Sequence, residues 1–221
     1  MGMTVLIRGN DNHVAEFAAK FPDIPYDIDL DYKSDIELES YPFIFDYYVD
    51  ESPDNLNAYK NYDGVLLLNS VKSSLLEYSS YLGHISKGVL VGFNGLPTFF
   101  NREVLECTVL NESGSVRLKE AAEFLGFNYV TVDDRIGMVT PRVIFMIINE
   151  AYYTCQEGTA TKEAIDQAMK LGTNYPFGPF EWTQRVGIVH VYELLDAVYQ
   201  DTHDERYKIC PMLKKEYLES I

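Results

Sequence analysis

Two short stretches, Gly64-Val65-Leu66-Leu67-Leu68 and Gly88-Val89-Leu90-Val91-Gly92, decide the architecture. Each is a compact apolar run bounded by glycine, without the polar alternation of a sheet that has one wet face. Such runs mark parallel strands covered by helices on both sides. Between them, Ser74 to Leu82 has the length and apolar spacing of a crossover helix. Working outward, Thr4 to Arg8 is another apolar run ending at Gly9, and His13 to Phe21 sets Val14, Phe17, Ala18 and Phe21 on one helical face. Tyr26 to Tyr32 alternates Ile28 and Leu30 with Asp27, Asp29 and Asp31, which predicts a half-buried strand with its apolar residues inward. Tyr41 to Val49, Leu105 to Leu110 and Phe127 to Val132 read as further strands, the last two joined by a helix over Val116 to Leu125. Strands alternating with helices predict a doubly wound parallel sheet over residues 1–135.

From Thr140 the pattern is helical throughout. Thr140 is placed as an N-cap and Pro141 at the first helical position, where a missing N–H costs nothing. The helix runs to Gln156 and ends at Gly158. Thr161 to Leu171 follows, with Ala164, Ile165, Ala168 and Leu171 on one face and Gly172 closing it. Pro179 to Val186 and Ile188 to Gln200 complete the series. The chain therefore reads as an α/β domain, 1–135, followed by an all-helical domain, 136–221.

Composition narrows the partners. Across 221 residues, 34 acidic side chains oppose 18 basic ones, a formal charge of −16. A nucleic acid would meet net repulsion. No apolar run approaches the ~18–20 residues needed to span a bilayer. The start, Met1 to Leu6, has neither a basic n-region nor a long apolar stretch, so no secretory signal is expected, and nothing supports myristoylation at Gly2. Three cysteines without a Cys-x-x-Cys pair argue against a disulfide framework or zinc site, and either a reducing, cytoplasmic setting or a chain indifferent to redox is expected. Residues 1–63 hold 14 acids and four bases together with seven of the 17 tyrosines. That region reads as a solvated acidic face, or as a docking surface for a basic partner.

The helical half carries a family resemblance. Asp134-Arg135-Ile136-Gly137-Met138-Val139-Thr140-Pro141-Arg142, Ile148-Asn149-Glu150-Ala151, Glu157-Gly158-Thr159-Ala160 and Ile165-Asp166-Gln167-Ala168-Met169-Lys170-Leu171-Gly172, followed by Pro176-Phe177-Gly178-Pro179, together resemble the helical domain of 3-hydroxyacyl-CoA dehydrogenases. The likeness covers residues 134–217 well, 64–132 thinly and 1–63 hardly at all. It implies a degenerate Rossmann-like domain followed by a helical domain of the 6-phosphogluconate dehydrogenase C-terminal-like type. It also implies NAD-dependent oxidation of 3-hydroxyacyl-CoA in fatty-acid metabolism, and a homodimer formed through the helical half.

The resemblance also assigns site positions. Ser73 falls on the family's substrate-binding serine, Glu106 on the glutamate that orients the catalytic histidine, and Asn94 on that histidine itself. Pro141 falls on the family asparagine. A shifted alignment would put Thr98 at the base instead. Neither choice supplies a histidine, and an amide has no protonation equilibrium with which to accept a hydroxyl proton near neutral pH. His13, His84, His190 and His203 have no carboxylate partner at a suggestive spacing. For the cofactor, the glycine-rich turn G-x-G-x-x-G is reduced to Gly9, with Asp11 and Val14 at the second and third glycines. Asp29 or Asp31 would be the ribose-binding acid. The expectation is a family relative without the standard dehydrogenase activity, a pseudoenzyme that binds no NAD and no metal and whose natural ligand is an acyl-CoA or small acyl group. The alternatives are an active NAD-dependent enzyme with a rearranged site, and a dimeric assembly module.

Overall fold

A computed structural model describes residues 3–32, 36–83 and 88–221; His84 lies outside the described residues. The chain divides into two compact units, Met1–Met138 and Val139–Ile221. The first contains one seven-stranded sheet, β1 (Val5–Arg8), β2 (Tyr26–Ile28), β3 (Phe43–Asp46), β4 (Val65–Asn69), β5 (Val89–Phe93), β6 (Val104–Val109) and β7 (Asn128–Thr131). Their order is β2-β1-β3-β4-β5-β6-β7. Helices α1 (Asp11–Lys20), α2 (Leu75–Leu82) and α3 (Glu112–Leu125) connect them.

The β1, β3 and β4 runs are buried on both faces, and β5 from Val91 onward, because alternate residues pack against different helices. Val5, Ile7, Phe45, Leu67 and Val91 meet Phe17 of α1, Phe21 just after it, and Leu118 and Ala121 of α3. Leu6, Ile44, Leu66 and Leu68 meet Leu75, Tyr78 and Leu82 of α2, with Leu56 and Tyr59 beside them.

Two expectations need correction. The sheet is not wholly parallel, since β5 and β6 run antiparallel, with Val91 opposite Val109 and Phe93 opposite Cys107. No helix lies between β5 and β6, and a parallel neighbour would require a longer crossover. The second correction concerns Tyr26 to Tyr32, whose expected faces are inverted. Ile28 is 47% and Leu30 44% exposed, whereas Asp29 is 1% exposed. The cause is Arg8: its guanidinium donates to Asp29 Oδ2 from Nε at 3.0 Å and from Nη2 at 2.8 Å, so burying this carboxylate leaves it compensated.

The second unit is built from α4 (Thr140–Gln156), α5 (Lys162–Thr173), α6 (Pro179–Val186), α7 (Ile188–Thr202) and α8 (Pro211–Ser220). Its turns explain the sequence motif. The buried Asp166 carboxylate accepts the N–H groups of Phe180 (2.8 Å) and Glu181 (3.1 Å), closing the start of α6 from α5. A Cβ on Gly178 would fall 2.3 Å from Asp166 Cγ, so only glycine fits there. Thr140 is not the cap of α4: Val139 precedes the helix without a side-chain cap, and Pro141 lies within the first turn, where its N–H is not needed. Nor does Gly172 close α5, which continues to Thr173 and ends at Asn174 in the left-handed conformation (φ 55°). Among the described residues, no helix is long and apolar enough to cross a membrane.

Candidate functional site

The antiparallel β5–β6 pairing determines what happens at the base position. It places Asn94, just beyond β5, opposite Glu106 of β6, where the Asn94 N–H donates to the Glu106 carbonyl at 3.0 Å. Across the same pair Asn94 Nδ2 donates to Glu106 Oε2 at 3.3 Å. Asn94 Oδ1 accepts the Leu96 N–H at 3.4 Å. The side chain is only 2% exposed. It therefore links a carboxylate to a turn and offers no proton acceptor. Beside it, Asn69 Oδ1 accepts from Gly95 N–H at 3.0 Å while its Nδ2 donates to Asp50 Oδ2 at 3.0 Å, tying the ends of β4 and β5 together. Burial pulls the Arg102 guanidinium below its ordinary value, and the charge of Glu106 offsets part of that.

Ser73 is half-buried and shares a hydrogen bond with the Tyr78 phenol. The residue that caps α2 is its neighbour Ser74, which accepts the Glu77 N–H at 3.2 Å while Glu77 returns a bond to the Ser74 N–H at 2.7 Å. The two remaining N–H groups at that end, of Leu75 and Leu76, donate to the Asp134 carboxylate at 2.7 and 2.9 Å. An anion is thus already bound at this helix start, and it belongs to the chain. Pro141 is buried in the first turn of α4. Thr98, the alternative base position, sits at φ 70°, and its N–H donates to Glu16 Oε1 at 2.8 Å.

In a doubly wound sheet, ligands bind beyond the carboxyl ends of the strands, where the order reverses. Here the reversal lies between β1 and β3, and the chain fills it. Asn10 Oδ1 accepts the His13 N–H at 3.1 Å, and His13 Nδ1 accepts the Asn10 N–H at 3.2 Å. The His13 ring stacks on Tyr47 at 4.5 Å and meets the edge of Tyr48 at 6.0 Å. A Cβ on Gly9 would meet His13 Cβ at 2.8 Å, so the space a glycine turn opens for a pyrophosphate holds an imidazole. Asp29 is turned inward on Arg8, and Asp31 is exposed with its N–H donating to Asp29 Oδ1 at 3.3 Å. Below them the Arg8 guanidinium lies 4.5 Å from the Tyr32 ring centre and 5.0 Å from that of Tyr59. Both phenols donate to the fully buried Asp46, at 2.7 and 2.6 Å. Sequence reading missed Arg8, His13, Tyr47 and Asp46. The Asn-x-x-His spacing after a strand was the available signal for the cap.

In the helical unit, α4 and α5 border an open groove of about 810 Å³. Val143, Met146, Ile147, Ala164, Ala168 and Met169 line it. Among the described residues, no group of histidine, cysteine and carboxylate side chains is arranged to hold a metal ion.

The 3-hydroxyacyl-CoA dehydrogenase C-terminal domain model matches residues 137–220. A probable 3-hydroxybutyryl-CoA dehydrogenase of Bacillus subtilis is 34% identical over 122 residues, 55% of this chain and 42% of that protein. A 3-hydroxyadipyl-CoA dehydrogenase of Escherichia coli is 38% identical over 93 residues, 42% of this chain and 20% of that protein. The matches thus cover less than half the length of these two relatives. The fold extends further than the sequence likeness. The structure of (S)-3-hydroxybutyryl-CoA dehydrogenase from Ralstonia eutropha superposes with TM-score 0.77 at 16% identity, covering 100% of this chain and 95% of that one. FadB2 of M. tuberculosis gives 0.79 at 16%, over 100% and 94%. The helical unit is thus similar in sequence to the C-terminal domain of 3-hydroxyacyl-CoA dehydrogenases, and the chain as a whole shares the fold of those enzymes.

Proposed function

We propose that this chain is a cytoplasmic family member that performs no hydride transfer and acts as a homodimeric assembly module. The observation that carries this reading is His13, seated on Gly9 and stacked on Tyr47 where the fold would admit a pyrophosphate. The other family-site groups are likewise turned to partners within the chain: Asn94 to Glu106, Ser73 to Tyr78, Asp29 to Arg8, and the start of α2 to Asp134. A ligand site keeps its buried donors and acceptors for the ligand; these have been spent internally. A net charge of −16 further opposes the polyphosphate of CoA or NAD.

The α4–α5 groove is an open apolar surface, where Val143 is 53% exposed, and a second copy of the same helices is its occupant in this reading. Sedimentation equilibrium tests it. The native chain should run as a dimer, and Val143→Asp, an exposed position, should shift it to monomer without changing the helical circular dichroism. A monomeric native chain contradicts the assembly. A second reading, an acyl-ligand binder, is favoured by the half-exposed Ser73 and Glu106. A thermal-shift comparison separates the two, since a bound ligand raises stability by mass action. Stabilisation by acetoacetyl-CoA supports the binder, and stabilisation by NADH overturns both.

A further inference from the structure

Among the described residues no strand pairs with the outer edge of β2, and the sequence around it has an unusual polarity. In the doubly wound order 3-2-1-4-5-6, the outer edge of the second strand is covered by a third. Here the chain leaves β2 and crosses back to the other side of β1, so β2 ends the sheet. Val5 donates to Pro25 O at 3.0 Å and Asp29 donates to Ile7 O at 2.9 Å. Alternation along a parallel strand then directs the N–H and C=O groups of Tyr26 and Ile28 to the outer edge.

Edge strands are ordinarily blunted by polar side chains. This one has apolar residues exposed: Ile28 is 47% and Leu30 44% exposed, while Asp29 between them is buried on Arg8. Exposed Asp23, Asp27 and Asp31 lie around them. Apolar residues beside an open edge and a rim of one charge specify a complementary partner.

We propose that β2 is a docking edge for an extended segment of another protein, one that alternates apolar and basic residues and adds to the sheet as an eighth strand. Backbone pairing to Tyr26 and Ile28 supplies register, the apolar residues cover Ile28 and Leu30, and the lysines or arginines meet Asp23, Asp27 and Asp31. A second copy of β2 is not the occupant, because it would set Asp27 and Asp31 against like charges. The proposal is independent of the homodimer reading, which concerns the helical unit.

The probe is a fluorescent peptide of alternating lysine and valine, titrated by anisotropy against the full chain. The expected result is saturable binding that weakens as salt is raised. Ile28→Lys with Leu30→Lys should weaken it at least tenfold with the circular dichroism unchanged. Hydrogen exchange should show new protection confined to residues 26–30. Equal binding of a glutamate–valine peptide, undiminished binding of a proline-interrupted lysine peptide, or protection elsewhere would each overturn the proposal. So would a chain whose dimer is lost on Ile28→Lys, since a second copy would then hold the edge.

Discussion

The α/β unit and the helical unit have departed from their relatives in different ways. In the helical unit the polar residues of the motif still do what the fold requires: Asp166 closes α6, Gly178 makes room for it, and Glu181 returns a bond to the Gly178 N–H at 3.0 Å. In the α/β unit the polar groups at the strand ends serve a different end. Scaffold demands are met by caps and packing wherever the helices persist. At the strand ends of the α/β unit the polar side chains instead bond to one another, Asn94 to Glu106 and Arg8 to Asp29.

The largest expected effect separates these two kinds of polar residue. Arg8→Met leaves Asp29 and Asp46 buried beside no cation and should cost about 3–5 kcal/mol, read by urea denaturation. Combining it with Asp29→Leu should restore much of that, because removing both partners of a buried pair is far milder than removing one. If the single variant cost nothing, the inward turn of Asp29 would not be what holds the end of β2. On the helical side, Asp166→Ala removes two bonds to the first turn of α6 and should cost about 2 kcal/mol. A neutral result there would undo the claim that the motif is a cap.

The smallest effect is in pH dependence, and its sign should differ between units. Burial pushes the Glu16 and Asp46 carboxyls above their ordinary values. Such groups favour the folded state at pH below their unfolded values, and that contribution is lost as pH rises through the folded ones. Glu181 is held below its ordinary value by Lys170 and the Gly178 N–H, and Glu163 by backbone and Thr161 hydrogen bonds. Their contribution is present above the unfolded value of 4.5 and lost as pH falls through the folded ones. Glu16→Gln should therefore flatten the loss of stability on the rising side, and Glu181→Gln the loss on the acid side. Chemical denaturation across pH 3 to 8, a span bracketing carboxylate titration, gives both; identical profiles for the two variants would remove this distinction.

The parts of the fold that were legible in sequence were those written locally. Residues 64–68 and 88–92 read as strands covered on both faces because each is an unbroken apolar run opened by glycine; the structure buries Val65 to Leu68 of the first, and the second from Val91 onward. The antiparallel turn into β6 depended on the missing helix after Phe93, a weak local signal. The inversion at Ile28 and Leu30 was not legible, because it depends on Arg8, 21 residues before Asp29. At the site, the twelve residues separating Asn94 from Glu106 become a contact only through strand pairing. His13 reads as one more residue of a helix until its ring is seen on Tyr47.

The most direct measurement is a fluorescence titration of NADH with the purified chain, followed by NADH oxidation in the presence of acetoacetyl-CoA. With His13 seated on Gly9 and no base at Asn94, no saturable binding is expected to about 1 mM, the upper end of ordinary KM values, and no turnover approaching ~1 s⁻¹. Saturable binding well below that concentration, together with turnover at or above that rate, would contradict the account.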